Sequence, residues 1–278
     1  MAKEFKYTLS SFQMIIIGFA GIILLGTLLL MLPFSTQSGT ATSFFDALFT
    51  ATSAVCVTGL VVQDTATYWS YFGQFVILLL IQIGGMGVVT VASAFALLSG
   101  RKLSFSQRNI MQEALSAPQI GGIVKLTRFV IIGTFLFEIL GALVMMPVFC
   151  KDFGIKGIWM AIFHSISAFC NAGFDLLGIN AKYSSLTNYI ANPVINITIM
   201  LLIVIGGIGF LTWSDILKNR HRISEYCMQS KVILSTTLAL ILIPTMYFFL
   251  IEFSDMPLKE RVFASFFQAI TPRTAGFN

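Results

Sequence analysis

Charge is what this chain has least of. Only 10% of its 278 residues are Asp, Glu, Lys or Arg, against 56% hydrophobic, whereas soluble domains carry about 25% charged residues. No basic residue occurs between Lys6 and Arg101, and that interval holds just two acids, Asp46 and Asp64. So little charge excludes an ordinary water-soluble domain. Cysteine is scarce too: there are four, none in a CxxC pair, which excludes a disulfide scaffold and a thiolate metal site. Cys56 and Cys170 read as small apolar packing residues. HExxH, GxSxG and a P-loop lysine are all missing, so the sequence carries none of the catalytic signatures those motifs represent. It reads as a protein that is not an enzyme. The best enzymatic case would pair His164 with Asp175. His164, however, has no metal-ligating neighbour three or four residues away and reads as a packing residue.

What is there instead is apolar length. Five runs, 12–32, 72–98, 129–149, 193–211 and 232–251, approach the roughly 20 residues that a spanning helix needs. The first is too long for the apolar core of a signal peptide and no small-residue cleavage site follows it. It reads as a retained span, closed by Pro33, as Pro147 closes the third. The expected fold class is all-α and membrane-embedded.

The chain also repeats itself. Ser53-Ala54-Val55-Cys56-Val57-Thr58-Gly59-Leu60 returns as Ser167-Ala168-Phe169-Cys170-Asn171-Ala172-Gly173-Phe174, and again as Ile270-Thr271-Pro272-Arg273-Thr274-Ala275-Gly276-Phe277. The three glycines are 114 and 103 residues apart, and Ala47, Ala161 and Ala264 keep the same register upstream. A second motif, Ile83-Gly84-Gly85-Met86-Gly87, recurs as Ile205-Gly206-Gly207-Ile208-Gly209. These glycines suit close helix packing. Self-similarity of this kind marks a repeated structural unit. The boundaries read as a first unit over 1–100, a linker over 101–125, a second unit over 126–217, a loop over 218–230, and an incomplete third unit over 231–278 that stops at its own turn. With no span after it, the third turn is expected to be poorly supported.

Charge placement decides the topology. Segment 44–62 is long enough to pass for a span. The loop at 99–128 holds Arg101, Lys102, Arg108, Lys125 and Arg128 against Glu113 alone. If 44–62 crossed the membrane, this basic loop would lie opposite the basic N-terminus, against the positive-inside rule. It therefore reads as a dip that enters and returns, with the N-terminus cytoplasmic. The net charge of +5 is then an orientation signal and a contact with the lipid bilayer rather than a nucleic-acid patch. A short helix near 106–116 reads as interfacial.

Each dip is expected to be a short helix (44–54, 159–168, 262–269) followed by an extended glycine-containing turn. Non-helical backbone at membrane depth is tolerated only inside protein or along a watery cavity. There its carbonyls can replace the hydration shell of a cation, and the negative C-terminal ends of the dip helices favour one. The first two turns carry no charged side chain, so selection would rest on backbone dipoles. Candidate carbonyl-bearing residues are Cys56, Val57, Thr58 and Gly59; Cys170, Asn171, Ala172 and Gly173; and Arg273, Thr274, Ala275 and Gly276. Asp46 and Asp64 read as mouth acids, Glu138 as a residue hydrogen-bonded inside the bundle, and Arg273 as an ion-pair donor behind its turn.

ATSAVCVTGL, SAFCNAGF and especially TPRTAGFN resemble the filter segments of the Trk/Ktr potassium-uptake family, and IQIGGMG resembles its inner helices. The resemblance covers nearly the whole chain. It implies four fused span–pore loop–span units around one pseudo-fourfold pore, potassium as the permeant ion with no bound cofactor, a homodimer, and a cytoplasmic nucleotide-binding regulatory subunit. A glycine at position 59 goes with potassium preference. The chain departs from the family pattern in having two and a half units instead of four. A non-conducting membrane fragment and a secondary transporter of another solute are the alternative readings; the parallel repeats count against the second.

Overall fold

The computed structural model describes residues 10–98, 105–114, 122–179 and 181–278. Among them the secondary structure is helical, apart from one isolated antiparallel bridge between Thr36 and Trp69. Twelve α-helices follow in order: α1 (Ser11–Leu30), α2 (Phe44–Val55), the single turn α3 (Thr65–Tyr68), α4 (Tyr71–Met86), α5 (Val88–Leu98), α6 (Phe105–Ala114), α7 (Ile123–Phe153), α8 (Lys156–Phe169), α9 (Pro193–Ile208), α10 (Phe210–Asn219), α11 (Met228–Tyr247) and α12 (Leu258–Ile270). Local sequence explains several starts. Ser10 and Gln13 form a reciprocal capping box on α1. Ser43 and Ser70 cap α2 and α4. Asn192 caps α9, with Pro193 in the first turn where its missing N–H costs nothing.

Helices α1, α7 and α11 are long and apolar enough to cross a membrane, and α9 with α10 would make a fourth if that bent pair is one span. The exterior of these helices differs from that of a water-soluble protein, and several polar side chains lie within the apolar core. Ile16, Leu25 and Leu28 on α1, Ile132, Ile139 and Leu143 on α7, and Ile243 and Met246 on α11 are exposed. Thr27, Thr50, Gln74, Gln82, Glu138, His164 and Asn196 are buried. Contiguous apolar exterior on this scale is tolerated against lipid, not water. The protein is a multi-pass membrane protein.

Three expected boundaries are corrected. The run 72–98 is not one helix: it breaks at Gly87, whose φ of +82° ends α4 and separates it from α5. Likewise 193–211 is broken at Gly209 (φ +88°), and α10 leaves α9 at 91°. The third run does not stop at Pro147, because α7 continues for 31 residues to Phe153 with Pro147 inside it. A proline inside a helix removes one hydrogen bond, and a helix embedded in apolar surroundings survives that loss because neighbouring groups re-satisfy the backbone. The short helix expected near 106–116 is found as α6, packed against α1, α5 and α7, while Arg101 and Lys102 lie outside the described residues.

Packing pairs α2 with α1 and α4, α8 with α7 and α9, and α12 with α11. Small residues face inward on the short helices: Ala47, Ala51 and Ala54 on α2 and Ala161 and Ala168 on α8 are wholly buried. Contacts of α8 with α4, and of α12 with α9, join the successive segments of the chain. The result brings the C-terminal ends of α2, α8 and α12 to one region.

Candidate functional site

Helices α2 and α8 end in the same way, bond for bond. The Thr58 N–H donates to Ser53 O at 2.8 Å and Val57 N–H to Ala54 O at 3.2 Å; the Ala172 N–H donates to Ser167 O at 2.7 Å and Asn171 N–H to Ala168 O at 3.1 Å. This pair of bonds is a Schellman termination, in which the residue after the cap must adopt a left-handed conformation. Those residues are Val57 (φ +55°) and Asn171 (φ +59°). Asparagine tolerates that region; a β-branched valine is strained there. The third turn differs because of Pro272. It passes through a 3-10 turn over Thr271–Arg273, Thr274 has φ −157°, and the Ala275 and Gly276 N–H groups both donate to Thr271 O at 3.0 Å.

Two residues beyond Val57, Asn171 and Thr274 come Gly59, Gly173 and Gly276, with φ of +81°, +72° and +74°. They are brought together in sequence. A Cβ on Gly59 would lie 2.5 Å from Ala172 O, and one on Gly173 would run into Ala275 O. Each glycine thus abuts the carbonyl of the register-equivalent preceding residue in the next turn. A Cβ on Gly276 would meet nothing within 4 Å.

The inner-helix glycines lie directly behind. A Cβ on Gly84 would strike Val55 O, and one on Gly206 would strike Phe169 O. These two positions let α4 and α9 touch the last residues of α2 and α8. Gly85 faces Cys170, whose Sγ and Cβ would lie 2.5 and 2.7 Å from an added Cβ, and Gly207 stands beside the Asn171 amide. Gly87 and Gly209 do a different job, breaking their helices.

Side chains fix the turns from outside. Ser167 Oγ donates to Phe174 O (2.7 Å) and Thr271 Oγ1 to Phe277 O (2.7 Å). His164 is fully buried; its Nε2 accepts from the Leu176 N–H (3.3 Å), so the Nδ1–H donates to Met160 O (2.7 Å). With both nitrogens engaged, the ring braces the second turn and packs on Phe277 of the third. The third turn is therefore well held, contrary to the expectation for it. Ala275 and Phe277 are buried, the Asn278 N–H donates to Ser185 Oγ (3.1 Å), and the Leu186 N–H donates to Asn278 O (2.8 Å). A loop from the preceding segment supplies what a following span was expected to supply.

Asp64 is placed differently from the simple mouth picture. Asp64 is buried, and its Oδ1 caps α3 by accepting from Ala66 N–H (3.1 Å), Thr67 N–H (2.9 Å) and Thr67 Oγ1 (2.9 Å). Its Oδ2 accepts from the Tyr183 N–H (3.0 Å), so it ties the loop after the first turn to the loop after the second. Sequence reasoning missed this tie, although the Asp-Thr-Ala-Thr order is itself a capping signal. Glu138, on α7, accepts from Gln82 Nε2 at 2.9 and 3.2 Å, across from α4. Arg273 donates to Thr237 Oγ1 (3.2 Å) on α11 rather than to a carboxylate. No cluster of three or more His, Cys, Asp or Glu side chains suited to a metal ion occurs among the described residues. Burial pushes Asp175 up from 3.8 to about 6, with nearby Asp64 adding to the effect and the Leu177 N–H and Ser185 hydroxyl opposing it.

Three outcomes follow from this geometry. Replacing Val57 by Asn, the residue at the same register in the second turn, should raise stability by about 1 kcal/mol through relief of left-handed strain, read as a higher unfolding temperature in detergent. Gly173→Ala should destabilise the 278-residue chain more than Gly276→Ala. Both require a side chain at positive φ, at a cost of about 1 kcal/mol, but only the first also drives a methyl group into a backbone carbonyl. Because Asp175 binds its proton more tightly when folded, its stabilising contribution is complete below about pH 3.8 and is lost as pH rises through about 6. Asp175→Asn should flatten that part of the stability–pH curve, recovering on the order of 2 kcal/mol near neutrality.

The sequence model of a family described as "TrkH: Cation transport protein" matches residues 3–278. The chain is 42% identical, over its whole length, to the potassium/sodium uptake protein NtpJ of Enterococcus hirae, of which it covers 61%. It is 41% identical over 96% of its length to the Ktr system potassium uptake protein B of Bacillus subtilis, covering 60% of that protein. To the protein of the same name from Vibrio alginolyticus it is 32% identical, again over 96% of its length and 59% of the relative. The chain thus spans about three-fifths of the length of these relatives. With its turns, its broken inner helices and this match running from residue 3 to the last residue, the chain belongs to the TrkH cation transport protein family.

Proposed function

We propose that this chain builds most of a potassium-conducting pore, and that the carbonyls of its three turns are the cation's ligands. The observation that carries the reading is the succession of glycines and carbonyls: Gly59 against Ala172 O, then Gly173 against Ala275 O, in one register and one sense. Contacts of that regularity describe consecutive members of a ring. Gly276 faces nothing within 4 Å, and Thr58 O is the equivalent carbonyl at the other end. A fourth turn inserted between them would close the ring.

The electrostatics suit a cation. Helices α2, α8 and α12 direct their C-terminal ends at the turns, each end carrying roughly half a negative charge. Carbonyl dipoles can substitute for the water shell of potassium without any charged side chain. In this reading the units are 1–100, 126–217 and 231–278, each with a span, a pore loop and, in the first two, a broken inner span. The N-terminus is cytoplasmic. The filter residues are Cys56–Gly59, Cys170–Gly173 and Arg273–Gly276, with Gly84, Gly85, Gly87, Gly206, Gly207 and Gly209 behind them. Potassium is cargo rather than cofactor, and no catalytic step is involved. Two relatives are named as parts of Ktr systems, which supports a membrane component working with other subunits. A homodimer and a cytoplasmic nucleotide-binding subunit complete the proposal.

The test is growth and ion uptake in cells lacking other potassium importers. A protein of the relatives' full length carrying these residues should restore growth at low potassium. The 278-residue chain by itself should not, since its turns occupy three places of the ring. In the full-length protein, Gly59→Ser should lower the preference for potassium over sodium about tenfold, equivalent to about 1.4 kcal/mol. An unchanged preference in a well-expressed Gly59→Ser protein would count against the filter assignment.

A further inference from the structure

The three turns are register-equivalent, but the residues two places before each turn glycine are not alike. They are Val57, Asn171 and Thr274. Only Asn171 brings an amide there, and that amide lies in an unusual place. Its nitrogen donates to Thr274 Oγ1 (2.8 Å) and to Ile203 O (3.1 Å), while its oxygen accepts from the Gly207 N–H (3.2 Å). In the opposite orientation the Thr274 hydroxyl still donates to the amide oxygen (2.8 Å) and the nitrogen reaches only Phe169 O (3.4 Å), but the oxygen then also faces the Ile203 carbonyl and the nitrogen faces the Gly207 N–H, so the neighbours favour the first.

Ile203 O and Gly207 N are the acceptor and donor of a single i→i−4 rung of α9. The Asn171 amide behaves as a peptide unit inserted across that rung. Side-chain insertion into the helical ladder is one of the recognised causes of sharp bends. Here the helix breaks two residues later, at Gly209, and α10 departs at 91°. The last turn of α9 is stripped of its ordinary partners by that bend, and a second side chain, Trp213, donates its Nε1–H to Ile205 O (2.9 Å). Gly206 and Gly207 make the room: a Cβ at 206 would come within 3.1 Å of the Asn171 amide, and one at 207 would lie 3.8 to 4.0 Å from that amide and Thr274 Oγ1. The first unit bends its inner helix at Gly87 as well, but there the register-equivalent side chain is Val57, which has nothing to donate.

We infer that the Asn171 amide, seated between the Ile203–Gly207 rung of α9 and the Thr274 hydroxyl, is a positioning residue. It locks the spacing of the second and third turns to the bend at Gly209 and thereby sets discrimination between cations. The inference rests on the pore reading above and adds to it a side-chain device that belongs to one turn. Its physical content is rigidity. Carbonyls that are free to move apart or together accommodate ions of different radius, whereas carbonyls held at one spacing favour one ion. A single amide bonded to two turns and to an inner helix removes that freedom where the turns meet.

The experiment measures potassium and sodium uptake by the full-length protein in cells lacking other potassium importers. Asn171→Gly keeps the left-handed backbone and introduces no charge, so it isolates the amide. It should lower the potassium-to-sodium preference about tenfold. Thr274→Val should lower it less, and the double variant should be no worse than Asn171→Gly, because both single changes break one bridge. A merely structural role would reduce membrane abundance and uptake of both ions together and leave the preference unmoved; that result overturns the inference. So does a double variant whose loss is the product of the two single losses. If Asn171→Gly fails to reach the membrane, Thr274→Val decides, since that side chain is exposed: a lowered preference supports the bridge and an unchanged one overturns it. A parallel Gly173→Ser variant separates the two levels of the argument. If it alters preference while Asn171→Gly and Thr274→Val do not, only the positioning role is lost; if none of the three does, the pore reading falls and this inference falls with it.

Discussion

A peptide group that leaves a helix within hydrocarbon has no water to bond with, and each unsatisfied N–H or C=O there costs several kcal/mol. Much of this structure answers that constraint. The ends of α2, α8 and α12 release their backbone into turns, and the turns are packed where protein groups meet several of the freed donors. Schellman bonds close the first two. Ser167 and Thr271 reach forward to the chain just beyond the second and third turns. His164 uses both ring nitrogens on backbone groups. The carbonyls of Ala172 and Ala275 lie against Gly59 and Gly173, and those are the groups for which the proposed pore has a use.

The same constraint accounts for the glycines. Backbone can press against backbone only where no Cβ intervenes, so α4 and α9 approach the ends of α2 and α8 through Gly84 and Gly206. The breaks at Gly87 and Gly209 interrupt the helical ladder again, and at Gly209 the Trp213 and Asn171 side chains bond to backbone groups of the last turns of α9. Polar residues thus sit inside among an apolar core while large apolar side chains cover the outside, where a water-soluble protein would place polar ones. Glu138 and Gln82 belong to this interior, joining α7 to α4.

Loops outside the apolar helices do comparable work. Asp64 holds its own short helix and reaches Tyr183 of the next segment. Ser185 and Leu186 clasp Asn278. The third turn is therefore secured by the segment before it. The expectation that it needs a following span left out the contacts between segments, which clasp one another around the turns.

Much of this was legible in the residues. Scarcity of charge and long apolar runs specify a multi-pass helical membrane protein, because only such segments are stable in lipid. The recurrence of Gly59, Gly173 and Gly276 in register marks three like turns, because only glycine adopts their backbone conformation without strain. Short-range signals such as Ser43, Ser70 and Asn192-Pro193 set where helices begin, because a cap acts within one turn. Other features could not be read along the chain. Whether Pro147 stops α7, or Gly87 breaks a 27-residue run, depends on what neighbouring helices offer the freed backbone. That Gly59 abuts Ala172, that Asp64 binds Tyr183, and that Asn171 lies across a rung of α9 are contacts between residues scores of positions apart. Local propensity carries no information about such pairs; only the packing of the segments against one another brings them within bonding distance.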